Sequence, residues 1–411
     1  MKFLSKAGCT GDGEGGCFAS KRAHFRPPQL PDVVKAFIAE KYQGLAAAYP
    51  NPPHSRTGLD STLRTLRRLD KTSVADTHRS LSEFAYQFGL TSPGPSPDTS
   101  GIDTTQVRFL SDLALRSQLQ LPAFARLFRG QTEADPRPNK SLHELKVPSA
   151  SRYRQLYCRW NDIVRHGVRP QWRASKPQLQ GTRPTNHHIP VIHLDKVRKH
   201  IRKGQLERRY LVLDKEVLDL WPEVFICPAG LVDKGETDKR VINDYSFPHG
   251  ESVNDFTDTT DFPPISYNPP RDIATRIHDL RTKYPNVEVL IMLGDVSGAF
   301  RHVPVNELGV HAFAFLFDGY VVIDLACGFG WCGSPAFYAV AGTLINHHYE
   351  ISRPTGVSPL DASTFTGNVW CDDHVCVEVN TGSRCNDANI ALRRAIVTVL
   401  GPNAMNEDKF T

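Results

Sequence analysis

The stretch Val287-Glu-Val-Leu-Ile-Met-Leu-Gly-Asp295 (VEVLIMLGD) decides the fold class of this chain. Its apolar run, Val287–Leu293, is too short for a good helix and is bounded by Gly294-Asp295. It therefore predicts a buried strand that delivers a carboxylate at its end. Downstream, His311–Phe317 and Tyr320–Leu325 are two β-rich runs joined at Asp318-Gly319, the signal of a tight hairpin. Pro335–Tyr349 predicts a helix. Thr364–Trp370 and His374–Val379 predict two further strands, with Asp372-Asp373 at the bend between them. After Asn386 or Asp387 as N-cap, Leu392, Ala395, Ile396, Val399 and Leu400 form one apolar helical stripe, closed by Gly401. Strand, hairpin, helix, hairpin, helix is the order of an α+β layer with helices on one face of an antiparallel sheet.

Upstream the texture is different. Residues 1–150 are loosely organised, with Gly-rich Thr10–Gly16 and the Ser/Pro/Gly stretch Thr91–Gly101 as punctuation. The expectation is a poorly defined, partly disordered region in which only short helices such as Val107–Leu121 and Pro122–Arg129 survive.

Of the 411 residues, 40% are hydrophobic and 23% charged, as in ordinary globular chains. No segment approaches the roughly 18 unbroken apolar residues of a membrane span, so no membrane is expected as partner. Residues 1–11 carry Lys2 and Lys6 but no apolar core, so no secretory signal is visible. Nine irregularly spaced cysteines point to a reduced, intracellular protein. Cys9 and Cys17 lack the companion residues of a zinc site.

The net charge of +5 hides an asymmetry: residues 1–210 sum to +18 and residues 211–411 to −13. The segment Ser151–Tyr210 is the densest, with 15 basic and 3 acidic residues. Such a run reads as a phosphate-backbone surface, or more plainly as a solvated basic face. The acidic half suits carboxylates that hold metal ions.

Asp295 at a strand end and Asp372-Asp373 at a hairpin tip are residues of one chemical type. Nucleotidyl transfer to a primer 3′-hydroxyl uses two divalent cations, one to acidify the hydroxyl and one to neutralise the triphosphate and leaving pyrophosphate. Magnesium takes oxygen ligands and keeps waters and substrate phosphates in its shell. Paired aspartates at a turn, taken alone, are ordinary turn residues.

The order of motifs around them resembles the reverse transcriptases of retroviruses and retrotransposons. Asp295-Val-Ser-Gly-Ala-Phe300 is similar to the first catalytic motif, D-x-x-x-A-[FY]. The resemblance implies Asp295 and the Val296 carbonyl as metal ligands, with Asp372 and Asp373 of Trp370-Cys-Asp-Asp373 completing the set around Mg²⁺, or Mn²⁺. Cys327-Gly-Phe-Gly-Trp-Cys-Gly-Ser-Pro335-Ala336 resembles the loop over template and nucleotide, which implies Gly330, Ser334 and Pro335 as nucleotide-binding residues. Gly230-Leu-Val-Asp-Lys234 and Lys239-Arg-Val-Ile-Asn-Asp244 resemble the fingers segment, which implies that Lys234 and Arg240 grip the triphosphate. Asn406-Glu-Asp-Lys409 resembles a later motif whose lysine protonates pyrophosphate. Phe300 would lie under the sugar and leave no space for a 2′-hydroxyl; its plainer use is core packing. The run Val241–Asp255 (VINDYSFPHGESVND) is closer to DIRS-like retroelements than to retroviruses.

The resemblance implies a right-hand polymerase: a basic linker leading into the fingers over 151–206, fingers over 207–290, and a palm over 291–411 with a fingers insertion at about 306–345. The thumb is expected to be absent, because the chain reaches Thr411 before the family's primer grip and helical thumb. Implied partners are an RNA or DNA template with its primer and deoxynucleoside triphosphates. Trp370 stands where the family has Tyr, Asp233 where it has a second basic residue, and Cys327-Gly328 where it often has Leu-Pro. These departures touch no metal ligand. The competing expectation is an inactive retroelement relic that at most binds nucleic acid. A viral RNA-dependent RNA polymerase would carry a second Asp where this chain has Phe300.

Overall fold

The computed structural model describes residues 56–94, 96, 98–149, 152–234, 238–354 and 363–410. Helices α1 (Arg56–Tyr86), α2 (Thr104–Ser117), α3 (Leu121–Arg129), α4 (Arg154–His166) and α5 (Leu194–Leu206) lead to β1 (Tyr210–Asp214). The hairpin β2 (Ala229–Lys234) and β3 (Asp238–Asn243) follows, then the single turn α6 (Val253–Phe256), α7 (Pro270–Lys283) and β4 (Val289–Asp295). The chain continues through β5 (Ala314–Phe317), β6 (Tyr320–Asp324), α8 (Ser334–Glu350), β7 (Gly367–Trp370), β8 (Asp373–Val379) and α9 (Arg384–Leu400).

The architecture is mixed helix and sheet, with small antiparallel sheets ordered β1-β6-β5, β2-β3 and β4-β8-β7 among the described residues. The β5–β6 hairpin closes on Asp318 (φ 51) and Gly319 (φ 83), the doubly positive pair that matches a turn to the right-handed twist of its strands.

Strands present alternate side chains to opposite faces, and both faces of β8 are buried. Cys376 turns toward the main core, with Leu344 and Ile345 of α8 and Leu392, Ala395 and Ile396 of α9. Val377 and Val379 turn the other way, onto Leu280, Ile273 and Ile277 of α7. Helices therefore cover both faces of this sheet, not one as expected, because β8 has an apolar side chain to bury on each side.

The strand expected to be buried is half open. Ile291 is 51% exposed and Leu293 48%. β4 is an edge strand of its sheet, where it pairs with β8; α7 packs at the Val289 end and the 404–410 segment covers Gly294 and Asp295, which leaves the middle of the strand open.

Helix α9 begins at Arg384, ahead of the expected caps, so Asn386 and Asp387 lie in its first turn. The buried Arg384 side chain fixes that start: its Nε donates to Glu378 Oε2 at 2.7 Å and its Nη1 to the Ser363 carbonyl at 3.2 Å. Gly401 (φ 87) ends the helix as expected.

The segment read as loosely organised forms α1, α2 and α3 from Arg56 onward. Leu81, Leu110, Leu113, Phe124 and Phe128 enter the same core as α8 and α9. Asp103 caps α2 by accepting from the Gln106 amide at 3.0 Å. Cys9, Cys17 and the Gly-rich Thr10–Gly16 lie outside the described residues. The seven cysteines among the described residues are free thiols. Among those residues no helix is long and apolar enough to cross a membrane.

Candidate active site

Sheet register assembles the carboxylates. Antiparallel pairing of β4 with β8 sets Asp295 opposite Asp373, and pairing of β7 with β8 sets Trp370 opposite the same Asp373. Cys371 and Asp372 make the turn, and Cys371 takes φ 55 to do so. Residues directly opposite in an antiparallel pair stand about 4.5–5.5 Å apart at Cα. Asp295 and the adjacent pair Asp372-Asp373, 77 positions further along the chain, thus meet at one end of one sheet.

Their electrostatics report the meeting. The Asp373 carboxyl is held above its ordinary range by burial, then by the negative charges of Asp372 and Asp295, with Lys409 opposing. The Lys409 ammonium is raised, first through its bond to Asp295 and further by all three carboxylates.

Lys409 arrives by a short return of the chain. Past Gly401 the backbone runs antiparallel to the end of β4. The Ser297 amide donates to the Ala404 carbonyl at 2.8 Å and the Asn406 amide to the Asp295 carbonyl at 3.1 Å. A 3-10 turn, Glu407–Lys409, then brings the lysine Nζ to 2.9 Å from Asp295 Oδ1. Asn406 Nδ2 donates to Asp295 Oδ2 at 2.6 Å.

Both oxygens of Asp295 therefore have partners, and among the described residues no three His, Cys, Asp or Glu side chains close into a metal cage. The donor set still suits a hard cation: Mg²⁺ is commonly held by one or two carboxylates together with water and substrate phosphates, without an all-protein cage. Asp295, Asp372 and Asp373 would supply the oxygens. The Val296 carbonyl takes no part in the two bonds that flank it and is a further oxygen donor.

The residues expected to contact nucleotide fall into two groups. Arg240, exposed on β3, has its guanidinium carbon 5.9 Å from the Phe329 ring centroid. Phe329 in turn lies 4.8 Å from Phe300, centroid to centroid. The β2–β3 hairpin and the residue five positions after Asp295 are thus joined through one aromatic ring. Phe300 is buried and also meets Tyr338 at 5.7 Å. Lys234 ends β2, and its side chain lies outside the described residues.

The second group shapes the loop between β6 and α8. Gly330 has φ 106, and a Cβ there would stand 2.7 Å from the Asn243 carbonyl oxygen. Ser334 is fully buried and donates to the Gly328 carbonyl at 2.6 Å, a structural bond that turns its hydroxyl inward. Pro335 occupies the first turn of α8, where its missing N–H costs nothing.

Neither a protein-family model nor a curated protein matches this chain.

Sequence reasoning passed over three residues that hold the site together. Asn254 donates to the Gly330 carbonyl and accepts from the Cys332 amide, both at 2.9 Å, stapling the loop to the segment after β3. Asn268 does the same for β7, with its Oδ1 accepting from the Val369 amide at 3.0 Å. Tyr267 lies 5.4 Å from Trp370, centroid to centroid, and its hydroxyl is pushed up to about 12 by burial and then by Cys371 and Asp372. Asn254 sits inside a quoted motif, so position within a motif was the available signal; Tyr267 and Asn268 carry none.

The basic segment divides in two. Arg202 is buried, pairs with Asp103 at 3.1 Å and donates to the Ser96 and Asp98 carbonyls. Arg198 lies between Asp195 at 2.8 Å and Asp318 at 2.7 Å. These are structural cations. Lys199, Arg173 and Arg183 are exposed.

Proposed function

We propose that this chain is a template-directed nucleotidyltransferase of the reverse transcriptase kind, built as polymerase fingers and palm. One observation carries it: Asp295 and the distant pair Asp372-Asp373 converge at one end of one sheet, with Lys409 among them. Structural ion networks rarely concentrate three like charges without function, since like charges destabilise one another.

In this reading Asp295, Asp372 and Asp373, with the Val296 carbonyl, hold Mg²⁺ or Mn²⁺. The bound ions acidify the primer 3′-hydroxyl and neutralise the triphosphate. Lys409, cationic at neutral pH, supplies a proton to departing pyrophosphate. Substrate binding displaces its ammonium from Asp295. Arg240 offers a planar fork of donors to phosphate oxygens, and Lys234 a point charge. Phe300, wedged between Phe329 and Tyr338, denies room to a 2′-hydroxyl and favours deoxynucleotides. The β2–β3 hairpin is the fingers and the β4-β8-β7 sheet the palm. Template and primer follow the exposed bases of residues 151–210.

The test is extension of a primed RNA template with Mg²⁺ or Mn²⁺ and either deoxy- or ribonucleotides. Deoxynucleotide incorporation abolished by Asp372→Asn supports the proposal. Template binding without extension above that variant refutes it and leaves the retroelement relic. Predominant ribonucleotide incorporation removes the role given to Phe300.

A further inference from the structure

A cavity of about 360 Å³ lies beside the loop that follows Asp295, walled by Ser297 and Gly298, by α1 at Asp70 and Thr77, and by Asn139 to Ser141. Its lining is strongly cationic. Arg129, Lys140, Lys203, Arg208, Arg209 and Arg301 contribute to it, against only Asp70 and Glu207.

Some of that charge is matched. Arg301 pairs with the buried Asp324, Lys140 with Asp135 at 3.1 Å, and Glu207 serves both Arg209 and Lys203. Two arginines are left. Arg129 is 4% exposed and Arg208 half-buried, and their guanidinium groups donate to backbone carbonyls, of Leu325 and Phe128 respectively. Among the described residues neither forms a salt bridge. Arg129 Nη1 and Arg209 Nε are buried with no hydrogen-bond partner. Burial pushes both the Arg129 and Arg208 guanidinium groups down to about 10. Glu307 and Asp324 offset part of the Arg129 charge without touching it, whereas burial acts on Arg208 unopposed, and an anion in the cavity relieves the cost of both buried cations.

We infer that this cavity binds a small, multiply charged phosphate ligand of the pyrophosphate class. The excess of cations exceeds what one carboxylate or one monoanion neutralises. Guanidinium forks match the tetrahedral oxygens of phosphate. The volume is at the low end of small-molecule sites, roughly 300–1,000 Å³, and excludes a duplex. The site is separate from the triphosphate grip given to Arg240.

Isothermal titration of the full chain with sodium pyrophosphate, without divalent cations and at fixed ionic strength, tests this. Saturable one-site binding is expected, weakened about tenfold or more by Arg208→Met, which removes a charge-assisted donor. Lys203→Ala, at the exposed mouth, weakens it severalfold and leaves the fold intact, so the test stands if Arg208→Met does not fold. Arg240→Ala leaves it unchanged. Absence of saturable binding, or wild-type affinity in both cavity variants, overturns the inference. So does an equal loss in Arg240→Ala, which moves the site to the fingers. Displacement of pyrophosphate by a single-stranded oligonucleotide assigns these cations to a nucleic-acid backbone and overturns it as well.

Discussion

Replacing Gly330 by alanine is expected to separate conformational strain from steric conflict in the loop over the candidate site. Gly330 has φ 106, and the added Cβ would meet the Asn243 carbonyl oxygen at 2.7 Å. Asn243 ends β3 and is paired with Ala229, so this oxygen retreats only by disturbing the hairpin. Positive φ costs an L-residue about 1–2 kcal/mol. Forcing a methyl against fixed backbone costs about 1–3 kcal/mol more. Gly330→Ala should therefore lose roughly 2–5 kcal/mol. Gly319→Ala is the control: φ is 83 there, but nothing lies within 4 Å of the added atom. It should lose only the first term, about 1–2 kcal/mol. Urea unfolding of both variants near neutral pH, followed by far-ultraviolet circular dichroism, reads the difference. If Gly330→Ala loses no more than Gly319→Ala, the close approach of loop and hairpin is wrong.

Asn254→Ala removes the staple between loop and post-β3 segment; a loss of about 1–2 kcal/mol and faster hydrogen exchange at the Cys332 amide are expected, and unchanged protection there would contradict the staple. Arg202→Met leaves Asp103 buried without its partner and should cost about 3–5 kcal/mol in denaturant unfolding. Lys199→Glu, by contrast, should leave stability alone and weaken template binding at low salt, measured by fluorescence anisotropy. Buried His374 has both ring nitrogens unpartnered and a pKa pushed down to about 4 by burial. The depressed value means that its neutral form contributes stability present above the ordinary pKa of 6.5 and lost as pH falls through about 4. The loss approaches about 1.4 kcal/mol per pH unit. His374→Leu should flatten the acid limb of the stability curve over that window, and an unchanged slope would exclude this histidine. His200, His311 and His348 shift the same way and add to the same limb.

Much of the second half was legible because its signals are local. The Asp318-Gly319 turn, the apolar stripe of α9 and the strands flanking Asp372 need only near neighbours in the chain, and each formed close to its expected span. In the N-terminal part the expected helices Val107–Leu121 and Pro122–Arg129 formed as α2 and α3, while α1 was passed over because punctuation by Pro, Gly and Ser describes the connections between helices. The apolar residues of α1 that pack on the core, such as Leu81 and Ala85, are spread thinly along a largely polar helix. The basic segment misled in part because charge counts do not distinguish Arg202, turned inward onto Asp103, from Lys199, left in solvent.

Sequence alone determined the element types in the second half of the chain and the three aspartates worth watching, because side-chain periodicity and turn chemistry act over a few residues. Only tertiary structure decided that β4 is an open edge, that helices cover both faces of its sheet, and that Lys409 and Asn406 close on Asp295. Those outcomes depend on strand register and on which surfaces remain after packing, and both are set by contacts between residues far apart in the chain. The arginines around the cavity beside Ser297 that form no salt bridge among the described residues belong to the same class: their burial comes from α1, α3, α5 and the Asn139–Ser141 segment meeting there, which no local pattern encodes.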